Sequence, residues 1–132
     1  MSPFAPESTE HLKAGHFWAI PITGSQQFGC GVVVALEVSA SGQRDPQLFV
    51  AGLLDWIGEA PPDAGSIAGR PLVRCYNVHI KTILISGGEL IGEVTPWWEW
   101  PAEMSEADCE RFRTAGYMVL SLLAKSLASA AS

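Results

Sequence analysis

The first half of the chain alternates between short apolar runs and polar clusters, a pattern that predicts β-strands. The runs are rich in aromatic and β-branched residues, and Gly, Pro, Ser and Asp separate them. We predict strands over residues 16–22 (HFWAIPI), 28–38 (FGCGVVVALEV), 47–57 (QLFVAGLLDWI) and 70–78 (RPLVRCYNV). The run over residues 28–38 is too continuous for a strand with one face in water, so we expect both of its faces to be covered.

Two glycine-containing motifs bear on the sheet. In residues 79–95 (HIKTILISGGELIGEVT), two apolar runs flank a pair of glycines. Because glycine readily adopts the positive φ of tight turns, this segment predicts a β-hairpin. The GCG sequence at residues 29–31 has two glycines at the spacing of a dinucleotide-binding loop, but it lacks the third glycine and a following helix. It predicts instead a strand position against which another backbone or a large ring packs closely.

The period of the apolar residues changes between residue 105 and about residue 128. Ser105 is a suitable N-cap, and Asp108 follows it as in a capping box. A helical wheel then predicts one amphipathic helix. Its apolar side would consist of Phe112, Val119, Leu120, Leu122, Leu123 and Leu127.

These elements predict a mostly β (α+β) fold. We expect a small curved antiparallel sheet or half-barrel of about six strands, with one C-terminal amphipathic helix packed on it. The length of 132 residues suits a single globular domain over residues 13–132, preceded by a frayed polar tail over residues 1–12.

Residues 96–101 (PWWEWP) concentrate three of the five tryptophans. In an extended segment, Trp98 and Trp100 would point to one side and Trp97 and Glu99 to the other. One side would fill the junction between sheet and helix. The other could contact a partner, because tryptophan is enriched both in cores and in interface hot spots. Membrane contact would require Lys and Arg beside the rings, whereas the neighbouring charges are carboxylates.

The sequence contains no G-x-S-x-G, H-E-x-x-H or P-loop motif. Cys75 and His79 would be about 13 Å apart on an extended strand, which is too far for a nucleophile and its base. Asp55, Glu59 and Asp63 border the longest Gly- and Pro-rich loop, where carboxylates are solvated or face a partner. We therefore expect no catalytic residue, no cofactor and no metal site.

The formal net charge of −6, from 14 acidic and 8 basic residues, argues against a nucleic-acid partner. It suits either simple solubility or a basic protein partner. Cys30, Cys75 and Cys109 lack metal-ligand spacing, which indicates free thiols in a reducing compartment. The N-terminus has no signal-peptide pattern. Lys125 and several serines interrupt the apolar C-terminal run. We expect a cytoplasmic protein that does not contact a membrane.

Residues 15–34 (GHFWAIPITGSQQFGCGVVV) resemble the opening of the immunity protein 26 family of bacterial polymorphic toxin systems. That opening has a glycine, an aromatic-Ala-Ile-Pro strand, a short polar turn and an aromatic-Gly-x-Gly-x-Val strand. The resemblance is clearest over residues 15–38. The matching residues are Gly15, Phe17, Ala19, Ile20, Pro21, Phe28, Gly29, Gly31 and Val32.

The resemblance implies a small cytoplasmic protein that binds and neutralises a toxin encoded beside it, with no catalysis and no cofactor. A basic toxin domain would suit the charge of this chain. The candidate partner-binding residues are Trp97, Trp98, Glu99, Trp100, Asp55, Glu59 and Asp63.

Two further hypotheses stay open at this point. The first is a small β-barrel ligand-binding or adaptor domain that uses an aromatic pocket. The second is an enzyme that uses Cys75 or His79. A homodimer is also compatible with the sequence, since edge strands and exposed aromatic residues both favour self-association.

Overall fold

A computed structural model describes residues 8–131 and confirms a mostly β fold with a helix packed on an open sheet. The strands are β1 (His16–Pro21), β2 (Phe28–Val38), β3 (Arg44–Gly58), β4 (Leu72–His79), β5 (Gly92–Glu93) and β6 (Glu103–Ser105). The helices are α1 (Ala64–Ile67), α2 (Lys81–Ser86), α3 (Glu106–Cys109) and α4 (Val119–Ala131), with a 3-10 helix at Thr9–His11. None of these described helices is both long and apolar enough to span a bilayer.

The strand order is β4-β3-β2-β1-β5, with antiparallel neighbours throughout. β2 extends beyond the end of β1. On the side of β2 that faces β1, the last residues of β2 pair in parallel with the short strand β6. β4 lies at one end of this order, so β3 is its only neighbour among the strands of residues 8–131. The first four strands coincide with the four predicted from residues 16–78.

The segment before β1 is folded onto the sheet. Residues 1–7 of the tail predicted over residues 1–12 lie outside the described residues. Thr9 and Leu12 are buried. The Arg44 guanidinium donates three hydrogen bonds of 2.9–3.1 Å to carbonyl groups of this segment. The segment is therefore packed against the start of β3.

Both faces of the sheet are buried, which confirms the expectation from the continuous apolar run of β2. Val32 and Val34 pack in one core cluster and Val33 in the other. We call the two sides the helix face and the tryptophan face. On the helix face α4 covers Trp18, Ile20, Phe49 and Leu53. On the tryptophan face, Trp97, Trp98 and Trp100 cover Phe17, Val32, Val50 and Leu54.

Gly29 and Gly31 of β2 confirm the predicted close approach. A Cβ at Gly31 would lie 2.5 Å from the ring of Trp18. A Cβ at Gly29 would lie 2.9 Å from the Cβ of Ala124 in α4. The two glycines therefore allow an indole ring and a helix to rest directly on the strand.

The β-hairpin predicted over residues 79–95 is wrong, because most of its first half forms helix α2. Thr82, Ile83 and Ser86 are buried, which is a helical spacing. Trp18 Nε1 donates a 2.9 Å hydrogen bond to Ser86 Oγ and so ties the helix to β1. A helix of six residues is too short for its period to be distinguished from strand alternation in the sequence.

The glycine pair ends this helix instead of turning a hairpin. The N–H groups of Gly87 and Gly88 both bond to the carbonyl of Ile83. Gly88 has a φ of +99°, the left-handed conformation that commonly closes a helix. A Cβ at Gly87 would lie 2.0 Å from the carbonyl oxygen of Ala19. Chain reversal and close contact with β1 thus both require glycine here.

The single C-terminal helix predicted from the helical wheel is also wrong. Ser105 caps α3 as predicted and accepts a 3.2 Å hydrogen bond from the N–H of Asp108, but α3 has only four residues. The chain then runs to the outer edge of β4. There the N–H of Asn77 bonds to the carbonyl of Arg113, and the N–H of Ala115 bonds to the carbonyl of Asn77. Pairing with the sheet therefore replaces helical hydrogen bonds in this stretch.

The buried side of α4 also differs from the prediction. Leu120, Ala124 and Ala128 are buried, whereas Leu122 is 62% exposed. Phe112 precedes the helix and packs on the tryptophan face. The wheel favours leucine over alanine, but close packing against β2 selects small side chains, which a single-helix pattern does not show.

Candidate functional site

Trp97, Trp98 and Trp100 all lie on the tryptophan face, so the predicted division of the segment into two sides is wrong. The three rings pack against one apolar cluster, and α4 packs on the opposite side of the sheet. The reason is a bend in the backbone from Trp98 onward, which ends the alternation of an extended chain. The ring of Trp100 meets that of Phe112 edge to face, with 4.9 Å between the centroids.

Hydrogen bonds fix the other two indoles. Trp97 Nε1 donates a 2.7 Å bond to the carbonyl of Arg70, and Trp98 Nε1 donates a 3.1 Å bond to the carbonyl of Val34. Their rings also meet edge to face at 5.4 Å. All three tryptophans remain partly exposed. They form an aromatic surface whose side chains are already ordered before any partner binds.

Exposed carboxylates accompany these rings. Residues 93–110 contain no Lys or Arg, and their acidic residues are Glu93, Glu99, Glu103, Glu106, Asp108 and Glu110. Glu99 is exposed and has no hydrogen-bond or ion-pair partner within residues 8–131. We call residues 93–110 the acidic–aromatic segment. It combines apolar contact area with negative charge.

The other three candidate carboxylates lie elsewhere. Asp55 and Glu59 are exposed. Asp63 caps α1, where its Oδ1 accepts a 2.7 Å bond from the N–H of Ser66. This capping role was missed in the sequence, although an aspartate three residues before a serine is a signal for it. None of the three carboxylates bonds to a residue of the acidic–aromatic segment within the described chain.

The outer edge of β4 borders a cleft of 340 Å³. The residues that line it are Val73, Arg74, Cys75, Tyr76 and Arg113. None of the three clustered tryptophans lines it. Sequence reasoning missed this cleft, because the edge position of β4 depends on the strand order, which local patterns do not contain.

The cysteines are in environments that disfavour the thiolate. Burial raises the pKa of Cys75 to about 11. It raises the pKa of Cys30 to about 12, and burial together with the nearby Glu37 carboxyl raises the pKa of Cys109 to about 12. Thiols with such pKa values are poor nucleophiles at neutral pH.

His79 has structural contacts. Cys75 and His79 both lie in extended β4, as the strand prediction requires. His79 Nδ1 accepts a 3.0 Å bond from the N–H of Lys81, and the ring packs edge to face on Tyr117 at 5.8 Å. Within residues 8–131 no three His, Cys, Asp or Glu side chains are grouped so that they could hold a metal ion.

Comparisons with protein-family models, curated proteins and solved structures found no match for this chain. The resemblance of residues 15–38 to immunity protein 26 therefore stays a prediction. In the structure those residues form the β1–β2 hairpin. Several of the matching side chains, including Phe17, Ile20 and Val32, are buried. The motif thus describes packing within the sheet, and the exposed candidate surfaces lie outside it.

Proposed function

We propose that this protein is an immunity-type protein that binds a bacterial toxin domain in the cytoplasm and neutralises it without catalysis. The observation that supports this proposal is the acidic–aromatic segment. It presents three ordered, partly exposed tryptophans in a stretch with six carboxylates and no basic residue. Ordered aromatic side chains lose little conformational entropy on binding, and tryptophan is a frequent hot-spot residue.

The charge of the segment defines the expected partner. Carboxylates around an aromatic centre are complementary to a basic surface, such as the substrate-binding side of a nuclease toxin. The net charge of −6 would speed association with such a domain, and the rings would supply the contact area that holds the complex. Inhibition would follow from covering the basic surface.

Co-expression with the toxin domain encoded in the neighbouring reading frame tests this proposal. The wild-type chain should restore growth. Glu99→Arg should weaken toxin binding about tenfold and reduce the rescue, because it reverses charge at the centre of the surface. Glu89→Arg is the matched control, since Glu89 is an exposed glutamate outside the segment and is not one of the predicted partner-binding residues. It should rescue growth like the wild type.

Rescue that is unaffected by Glu99→Arg would exclude this surface, and failure of the wild-type chain to rescue growth would exclude the function. The alternative of a ligand-binding or adaptor domain with an aromatic pocket receives less support. The cleft at β4 contains none of the clustered tryptophans, and the Nε1 groups of Trp97 and Trp98 are already bonded to backbone carbonyls.

A further inference from the structure

We propose that the outer edge of β4 at Cys75 binds an extended peptide segment that carries carboxylate side chains, by adding it as a strand to the sheet. This site is separate from the acidic–aromatic segment and prefers the opposite charge. It does not depend on the function proposed above.

The hydrogen bonds of Asn77 show which backbone groups of β4 face outward. Asn77 donates a 3.0 Å bond to the carbonyl of Arg113 and accepts a 3.2 Å bond from the N–H of Ala115. The backbone N–H and C=O of Asn77 therefore both point away from β3. Because these directions alternate along a strand, the N–H and C=O of Cys75 point the same way. Neither has a backbone partner on that side within residues 8–131.

The edge is open because the chain turns away just before Arg113. One more step of the same parallel ladder would pair Cys75 with the carbonyl of Arg111 and the N–H of Arg113. Instead, the N–H groups of Arg111 and Phe112 bond to carbonyls of α3 at 3.2 and 3.0 Å. The ring of Phe112 packs on Trp100. Packing of the tryptophan face thus keeps this chain off the edge at Cys75.

The cleft has the dimensions of a short extended segment. Its volume is 340 Å³, and four consecutive residues, 73–76, form its β4 wall. Such a stretch is about 13 Å long, so it can pair with roughly four residues of a partner strand. Val73 is 40% exposed and offers an apolar contact beside the open backbone groups. Backbone pairing would supply affinity and the side chains specificity.

Arg74 and Arg113 determine the charge preference of the site. Both line the cleft and both are exposed. Neither has an ion-pair partner in the part of the chain that the structure describes, although the protein has 14 acidic and only 8 basic residues. The guanidinium group binds carboxylates through two parallel hydrogen bonds. The cleft is therefore complementary to glutamate or aspartate side chains of the added strand.

Other occupants fit less well. A two-fold dimer would bring the same edge of two copies together and set the arginines of one copy against those of the other. A nucleic acid lacks the alternating N–H and C=O groups that pair with a strand edge. The net charge of −6 also opposes its approach.

Three synthetic octapeptides test the proposal against the full-length, ¹⁵N-labelled protein. The first alternates valine and glutamate, and it should bind saturably and shift the amide resonances of residues 73–76. The second has the same sequence with every backbone N–H replaced by an N-methyl group. It should not bind, because strand addition requires those N–H donors. The third alternates valine and lysine and should bind at least tenfold more weakly.

Variants of the protein locate the charge contact. Arg74→Glu and Arg113→Glu should each weaken binding of the valine–glutamate peptide about tenfold. Arg111→Glu is the matched control. It changes an exposed arginine two positions from Arg113 that is already 3.8 Å from the carboxylate of Asp108. Its effect should be less than about twofold.

Several results would overturn the inference. They are equal binding of the N-methylated or lysine peptide, no binding of the glutamate peptide at about millimolar concentration, or equally tight binding of an oligothymidylate of similar length. If the amide resonances of residues 73–76 shift with protein concentration in the absence of peptide, the occupant of this edge is a second copy of the chain and the peptide proposal is wrong. The peptide comparisons use only the wild-type protein, so they decide the matter even if a variant does not fold.

Discussion

Trp18 connects three elements through the atoms of one side chain. Its ring lies against Gly31 of β2, and its Nε1 group bonds to Ser86 of α2. It meets the ring of Phe49 in β3 edge to face at 6.5 Å. The side chain is fully buried, so each of these contacts is made away from water. Small changes at its neighbours should therefore have measurable effects on stability.

Gly31→Ala should destabilise the protein by about 1–3 kcal/mol, because the new Cβ would lie 2.5 Å from the buried Trp18 ring, so the ring or the strand would have to shift. Urea unfolding of the variant and the wild type measures the difference. Gly116→Ala is the control, since a Cβ there meets nothing within 4 Å. It should change the free energy of unfolding by no more than about 0.5 kcal/mol. Equal values for both variants would refute the packing argument.

At the scale of elements, the local patterns predicted β1 to β4 because these runs are rich in aromatic and β-branched residues and are separated by turn residues. Helix α2 was missed because six residues with a following glycine pair fit a hairpin equally well. The break between α3 and α4 was missed because Arg113 and Ala115 pair with Asn77, a contact between residues far apart in sequence. Local sequence patterns thus identify elements that local interactions stabilise. They fail where pairing with a residue distant in sequence determines the secondary structure.

Ser86→Ala should show how α2 is held to the sheet. The change leaves Trp18 Nε1 buried without an acceptor, which costs about 1–3 kcal/mol in the free energy of unfolding. Ser126→Ala, at an exposed position of α4, should be nearly neutral. In a Trp18→Phe background the cost of Ser86→Ala should fall, because no donor is then left unpaired. A full cost in that background would contradict the role of the hydrogen bond.

Only the part of the candidate site that is contiguous in the sequence could be predicted. The clustered tryptophans and their carboxylates could be found in the sequence, since they are contiguous. That all three tryptophans lie on the same face of the sheet could not be predicted, because it depends on the backbone bend that begins at Trp98. The cleft with Arg74 and Arg113 could not be found at all, because those two residues are brought together by the pairing of Asn77.

At the scale of the whole molecule, charge is distributed unevenly over the surface and the interior. The acidic–aromatic segment is free of Lys and Arg, while the cleft at β4 contains two arginines without ion-pair partners in the described chain. Glu37 of β2 is buried. Burial, followed by the nearby carboxylates of Asp45 and Glu106, raises its pKa. Three elements thus bring carboxylates together at one end of the sheet.

This arrangement predicts a dependence of stability on pH. Because the pKa of Glu37 is higher in the folded than in the unfolded state, its contribution is fully present below the unfolded-state pKa and is lost as pH rises through the folded-state pKa. Glu37→Gln removes that loss. The difference in free energy of unfolding between the variant and the wild type should therefore favour the variant more at about pH 8 than at about pH 4. Urea unfolding at these two pH values measures it.

Glu99→Gln is the control for this comparison, because Glu99 is exposed and without a partner in the described chain. Its stability relative to the wild type should be the same at both pH values. A Glu37→Gln difference that does not change with pH would show that the burial of this carboxyl has no energetic consequence.

The placement of the tryptophans gives the molecule a built-in optical reporter. Trp18 is sealed inside the helix face, whereas Trp97, Trp98 and Trp100 are partly open to solvent on the other face. Emission from the buried indole of Trp18 follows the integrity of the fold. Emission from Trp97, Trp98 and Trp100 follows what covers the acidic–aromatic segment, over a background from Trp56 of β3, which is also partly exposed. Collisional quenchers separate the two signals. A partner that binds this segment would reduce the quenching of the exposed tryptophans, so binding could be detected without a label on either protein.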